Sequence, residues 1–250
     1  MDFSLNGKVA VVTGVSRGLG RAMAIALAQA GADIVGVGYH GMGSTQAEIE
    51  ALGRRAFPIT HDLGNSELAP ALAKKCVDAF GRVDILVNNA GIIRLSPAEN
   101  HTAEDLDAVK EVNLRALFLL TRDIARQMIA LGGGKIINTC SVQSCRGGSG
   151  DAAYVASKHA VYGLTRAWAN EWGKYHINVN SICPTVFRSD LTEWMCDPES
   201  AVYKNVLNRE PIGRLGEPDD FVGYSLFLSS DASNFITGSN CDCSGGYLTV

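Results

Sequence analysis

Short β-branched runs alternate with longer amphipathic stretches along nearly the whole chain. KVAVVT (8–13) has the length and composition of a buried strand, and 18–30 follows as a helix with Leu19, Met23, Ala26, Leu27 and Ala30 on one face. The same alternation predicts strands at 33–38, 55–60, 83–88, 135–141 and 177–183. Between them it predicts helices at 45–52, 66–80, 103–131 and 151–173. Strands that are apolar almost throughout are buried on both sides, as in a parallel sheet. The pattern therefore predicts one α/β domain over residues 1–250, a doubly wound parallel sheet with helices on both faces. Residues 184–215 break the rhythm and read as an irregular segment, placed where a substrate lid could sit. A last helix (218–230) and a short strand (240–243) close the chain.

Composition narrows the function classes. Hydrophobic residues make up 46% and charged residues 19% of the 250, which excludes a disordered chain. The net charge of −4 supplies no basic excess for nucleic acid. The apolar run Ala22–Ala28 falls far short of the roughly 20 residues a bilayer needs. The N-terminus has neither a basic region nor a cleavable apolar stretch, so a cytoplasmic protein is expected. The cysteines at 76, 140, 145, 183, 196, 241 and 243 are odd in number and scattered, which predicts reduced thiols. Cys241 and Cys243 lack a second pair, and His40, His61, His101, His159 and His176 are not spaced as ligands, so no metal site is expected.

Thr13-Gly14-Val15-Ser16-Arg17-Gly18-Leu19-Gly20 joins the first strand to the first helix. Glycine lets backbone N–H groups approach a pyrophosphate closely, and a helix N-terminus favours negative charge. In such sheets ligands sit outside the carboxyl ends of the strands. Four further segments end there: His61-Asp62-Leu63, Asn88-Asn89-Ala90-Gly91, Ser141, and Pro184 to Ser189.

The motifs T-G-x-x-x-G-x-G and N-N-A-G, with a serine ahead of Y-x-x-x-K, resemble those of the short-chain dehydrogenase/reductases over essentially the whole chain. The resemblance implies a Rossmann-like sheet and an NAD or NADP cofactor. Gly14, Ser16, Arg17, Gly18, Leu19 and Gly20 would then form the phosphate loop. Asp62, beside Leu63, would bond the adenine, and Asn89, Ala90 and Gly91 would line the adenosine ribose. Tyr154 and Lys158 would hold the nicotinamide ribose, and Pro184, Phe187 and Ser189 belong to the segment that would hold the carboxamide. Thr185 stands where the family usually has glycine, and would have to accept a backbone geometry that glycine eases. Family members that prefer NAD carry an acidic residue after the second strand. Here that place holds Gly38, Tyr39 and His40, while Arg17 could meet a 2′-phosphate, so the preference stays open.

Tyr154 and Lys158 lie four apart on a helix and share a face. A nearby ammonium and the positive nicotinamide favour a phenolate, and so lower the tyrosine pKa toward use as a general acid or base. Ser141, at a strand end, would polarise the reacting carbonyl. By resemblance, Asn113 would hold a water linking Lys158 to solvent.

Several segments, including Ala90-Gly91-Ile92-Ile93-Arg94 and Asn170-Glu171-Trp172, are similar to the 2-deoxy-gluconate, 2-keto-3-deoxy-gluconate and gluconate 5-dehydrogenases of the family. Arg94, Arg146 or Arg188 could clamp a sugar-acid carboxylate, Gln143 could bond a hydroxyl, and Trp194 could cover the substrate. The expected activity interconverts a secondary alcohol and a ketone on a polyhydroxylated small molecule. A broad carbonyl reductase, a 3-oxoacyl reductase and a non-catalytic dinucleotide sensor are the alternatives. The resemblance also implies a homotetramer built on the helices 103–131 and 151–173 and on the C-terminal segment.

Overall fold

The computed structural model describes residues 3–250; Met1 and Asp2, within the expected domain span, lie outside the described residues. Seven strands form one parallel sheet in the order β3-β2-β1-β4-β5-β6-β7. They are β1 (Val9–Thr13), β2 (Asp33–Gly38), β3 (Ala56–Thr60), β4 (Ile85–Asn88), β5 (Gly134–Thr139), β6 (Ile177–Pro184) and β7 (Asn240–Cys243). The helices are α1 (Gly18–Gln29), α2 (Thr45–Ala51), α3 (Ala69–Phe80), α4 (Ala103–Lys110), α5 (Leu117–Leu131), α6 (Ala152–Trp172), α7 (Ala201–Leu207) and α8 (Pro218–Ser229).

Alternation along each strand divides the core in two. Val9 and Val11 of β1, with Val35 and Leu86, face Leu72, Leu120, Ile124 and Trp168 of α3, α5 and α6. Ala10 and Val12, with Ile34 and Val87, face Met23, Leu27, Ile49 and Phe221 of α1, α2 and α8. The sheet is thus doubly wound, with helices on both faces, as the apolar strands predict. Asp33 ties the start of β2 to the approach of β3: it is 5% exposed, and its carboxylate accepts from Arg54 Nη2 at 2.9 Å and Arg55 Nε at 2.8 Å.

Two expectations change. The helix read as continuous over 103–131 contains a π-helical turn, Glu111–Ala116, between α4 and α5. Such a turn adds a residue to the backbone ring and re-aims the side chains around it. The irregular stretch 184–215 contains α7 and a short 3₁₀ turn at Glu193–Met195. Among the described residues no helix is long and apolar enough to cross a membrane.

Candidate active site

The strand order reverses between β1 and β4. There the carboxyl ends of β1 to β6 open on a cleft of about 440 Å³. At one end of it, Gly14 adopts φ 69°, and a Cβ there would lie 2.9 Å from Asn89 Nδ2. Only glycine suits both the left-handed backbone and that close approach. The Asn89 amide donates to Thr13 O at 3.0 Å and Gly14 O at 3.3 Å, while Asn89 N and Ala90 N donate to Thr13 Oγ1 at 2.9 and 3.1 Å. The N-N-A-G segment therefore buttresses the glycine loop as well as lining the cleft. α1 starts at Gly18 without a side-chain cap, so its first N–H groups are free for an anion.

Gly14, Ser16, Arg17, Gly18, Leu19, Tyr39, Asp62, Leu63, Asn89, Ala90, Gly91, Pro184, Phe187 and Ser189 all line the cleft. Gly20 does not. It is buried beneath the loop, where a Cβ would meet Gly14 O at 2.1 Å. Arg17 is not free: Nη1 lies 2.8 Å from Asp190 Oδ2 across the cleft mouth. Tyr39 is 64% exposed at the rim, beside Gly38 and edge-on to His40.

At the other end, α6 carries Tyr154 and Lys158 beneath the end of β5. Lys158 is 5% exposed, and its Nζ donates to Thr139 O at 2.7 Å and sits 5.5 Å from the Tyr154 ring centre. Ser141 caps a 3₁₀ turn, its Oγ accepting from Gln143 N at 3.2 Å. Asn113 lies in the π turn, fully buried. Its Oδ1 accepts from Ile92 N at 2.8 Å, and its Nδ2 donates to Ile92 O at 2.9 Å and Ser157 Oγ at 3.1 Å. A Cβ on Gly91 would lie 3.3 Å from Asn113 Oδ1 and 3.7 Å from Lys158 Nζ, so a side chain there would crowd both.

The tyrosine differs from expectation. Burial pushes the Tyr154 pKa up to about 12, only partly opposed by the Ser141 hydroxyl, with Cys140, Asp151 and Cys183 adding to the rise. Burial also pulls Lys158 below the usual lysine range. Both groups are withdrawn from water, and desolvation disfavours the phenolate and the ammonium alike. In the chain alone, then, the Tyr154 phenol stands above its ordinary value.

Thr185 needs no glycine geometry, since His176 is the one non-glycine among the described residues with positive φ. None of the five candidate substrate residues lines the cleft. Arg94 pairs with Asp105 at 3.7 Å and Arg188 with Glu217 at 2.9 Å. The Arg146 guanidinium lies 5.0 Å from the Tyr247 ring centre, Gln143 Nε2 donates to Asp151 Oδ2 at 2.8 Å, and Trp194 is 49% exposed. The cleft instead adds Ile92, Val112, Thr185, Asp190, Leu191 and Thr192. The last three simply continue the turn after Ser189, a reach the sequence could have suggested. The carbonyl of Thr139 that holds Lys158 is backbone and leaves no mark on residue type.

A family model described as short chain dehydrogenase matches residues 8–199. The 2-dehydro-3-deoxy-D-gluconate 5-dehydrogenase of Escherichia coli is 44% identical over 247 residues, 98% of this chain and 97% of that protein. The gluconate 5-dehydrogenase of Gluconobacter oxydans is 38% identical over 251 residues, 99% of this chain and 97% of that protein. Among solved structures, a gluconate 5-dehydrogenase from Burkholderia cenocepacia in complex with NADP and tartrate superposes with a TM-score of 0.94 at 35% identity, covering 100% of this chain and 98% of that one. With the sheet order, the glycine loop and the Ser-Tyr-Lys end of the cleft in place, the chain belongs to the short-chain dehydrogenase family.

Proposed function

We propose that the chain is an NAD(P)-dependent oxidoreductase that interconverts a secondary alcohol and a ketone on a sugar acid or a similar polyhydroxylated small molecule. The observation that carries this reading is the placement of Ser141, Tyr154 and Lys158 at one end of a cleft whose other end is the glycine loop. The uncapped start of α1 and the loop N–H groups fit a pyrophosphate. Bound there, a nicotinamide dinucleotide would supply the hydride acceptor or donor and, when oxidised, a positive charge.

The chain's own residues handle the proton. Tyr154 takes it from the alcohol oxygen, or returns it to the ketone oxygen. Ser141 donates a hydrogen bond to that oxygen as charge develops on it. Lys158, held by Thr139 O, orients the nicotinamide ribose. Asn113 holds a relay water beside Lys158, its side chain fixed by Ile92 and Ser157. Burial holds the Tyr154 phenol pKa high, so Tyr154 would act as base only with a positive charge beside it, such as an oxidised nicotinamide would supply. The lack of a carboxylate at Gly38-Tyr39-His40 leaves room for a 2′-phosphate, and the Burkholderia relative binds NADP. Residues 184–215 serve as the substrate lid. A cytoplasmic homotetramer completes the reading, supported by half-exposed Phe118 on α5, half-exposed Tyr224 on α8 and fully exposed Phe235.

The test is oxidative turnover across aldonic acids, deoxy keto-acids, neutral sugars and simple secondary alcohols, each with NAD and with NADP. Turnover confined to the acids is expected. Turnover on neutral alcohols alone would keep the mechanism and overturn the substrate class. Cofactor binding with no turnover on any alcohol would favour a sensor.

A further inference from the structure

Behind the wall formed by Pro184–Ser189 lies a second cavity, of about 290 Å³, lined by Glu210, Arg214 and Ser244 among others. Thr185 and Phe187 line both spaces. The Thr185 hydroxyl is committed to the second one: Oγ1 donates to Glu210 Oε1 at 2.9 Å. Glu210 is 3% exposed, and among the described residues this is its carboxyl's one hydrogen bond. Its other oxygen, Oε2, is buried without a partner, as is the Ser244 hydroxyl at the same cavity. A buried carboxylate with a single donor is costly, so a chain that keeps one here gains something other than packing.

The same two segments are already tied by backbone. Arg188 N donates to Gly216 O at 2.8 Å, and Gly216 N donates to Val186 O at 3.1 Å. That ladder holds 186–188 but stops short of the residue next to Pro184. The Thr185–Glu210 bond supplies the missing tie, at the point where the wall leaves β6.

We propose that Glu210 is a positioning residue for the dinucleotide: from the second cavity it fixes Thr185, and through Thr185 the part of the cleft wall that faces the nicotinamide end. The proposal rests on the dinucleotide reading above. It also accounts for a threonine in a place where the resembled family has glycine. There a side chain is useful because its hydroxyl anchors the wall from behind.

The charged and titratable groups facing Glu210 are few. Arg214 and Asp220 are paired through two hydrogen bonds, and Asp242, Tyr224 and Cys243 complete the set lining the cavity. Burial raises the Glu210 pKa, opposed by the Thr185 hydrogen bond and by Arg214. The anionic carboxylate is the stronger acceptor for the Thr185 hydroxyl. Dinucleotide affinity should therefore weaken as pH falls and Glu210 takes up a proton.

The experiment measures NADPH and NADH dissociation constants by fluorescence between pH 5.5 and 8.5, with thermal melts in parallel. The proteins are wild type, Thr185→Val, Thr185→Ser, Glu210→Gln and the Thr185→Val/Glu210→Gln double variant. At neutral pH, Thr185→Val and Glu210→Gln are each expected to weaken binding about tenfold, the loss of one charge-assisted hydrogen bond. Thr185→Ser should bind as wild type, and the double variant no worse than the weaker single. Glu210→Gln should lose the acid-side fall in affinity. Melting points that drop while dissociation constants stay within twofold would show a packing role and overturn the proposal, as would fully additive losses in the double variant. If wild type binds and the variants are unchanged, this inference alone fails. If wild type binds neither dinucleotide, the functional reading fails with it.

Discussion

Replacing Gly20 with alanine isolates the steric logic of the loop. Gly20 has an ordinary negative φ, so alanine incurs no backbone penalty there. In an open helix the change would stabilise by about 1 kcal/mol. Here the new Cβ would lie 2.1 Å from Gly14 O, 2.8 Å from Gly14 C and 2.5 Å from Asn89 Nδ2, against ordinary contact at 3.4 Å or more. The obstacles are backbone and a side chain already bonded to Thr13 O and Gly14 O, so none can swing aside freely. Overpacking of this kind costs about 1–3 kcal/mol. Losing the two Asn89 bonds adds about 0.5–1.5 kcal/mol each. After the propensity gain, Gly20→Ala should destabilise by about 1–5 kcal/mol and weaken NADPH binding at least about tenfold. Urea unfolding at fixed protein concentration and a fluorescence titration read the two effects. Gly53→Ala is the control: its φ is +73° and nothing lies within 4 Å of the added Cβ. It should cost about 1–2 kcal/mol from backbone strain alone and leave cofactor binding unchanged. A Gly20→Ala protein that keeps wild-type stability and affinity would refute the packing argument.

Two further perturbations test other parts of the structure. Burial pushes the Asp33 pKa up, but Arg55 and Arg54 together hold it below the usual carboxylate value. A depressed folded pKa stabilises above the unfolded value of 3.8 and loses that contribution as pH falls through the folded one. Asp33→Asn should therefore cost about 1.5–3 kcal/mol from pH 7 down to about pH 4, and the cost should shrink only below that in urea titrations; a cost unchanged down to about pH 2 would show that the charge is immaterial. Tyr154→Phe should lower kcat by about 10²- to 10⁴-fold while the NADPH dissociation constant stays within about threefold. In wild type the rate of alcohol oxidation should rise with pH, because a phenol held high by burial must shed its proton to act as base. Retained turnover in the variant would remove Tyr154 from the proton path.

Much of the site could be read from residues because it is built where strands end. Gly14, Asn89, Ser141 and Pro184 each follow an apolar run, and a parallel sheet brings all such ends to one edge. Tyr154 and Lys158 needed only helical spacing to share a face. Asn113 could be singled out from the sequence, but the π turn that carries it could not, since a single added backbone residue has no compositional mark.

What the chain order could not show is which distant groups find one another. Arg17 and Asp190 are 173 residues apart, yet folding pairs them and gives Arg17 a carboxylate partner. Arg94 and Arg188 looked free to clamp a carboxylate because Asp105 and Glu217 meet them only after folding. Thr185 looked like a misplaced glycine until Glu210, 25 residues on, gave its hydroxyl an acceptor. The tyrosine pKa shows the same division. Sequence places an ammonium four residues from a phenol, but the sign of the shift depends on how far both are withdrawn from water, and only the packed chain decides that. Local order thus determined the strands, the loop and which side chains could be singled out at the strand ends. Tertiary structure decided their charge partners and their solvation, because ion pairing and burial depend on distances through space rather than along the chain.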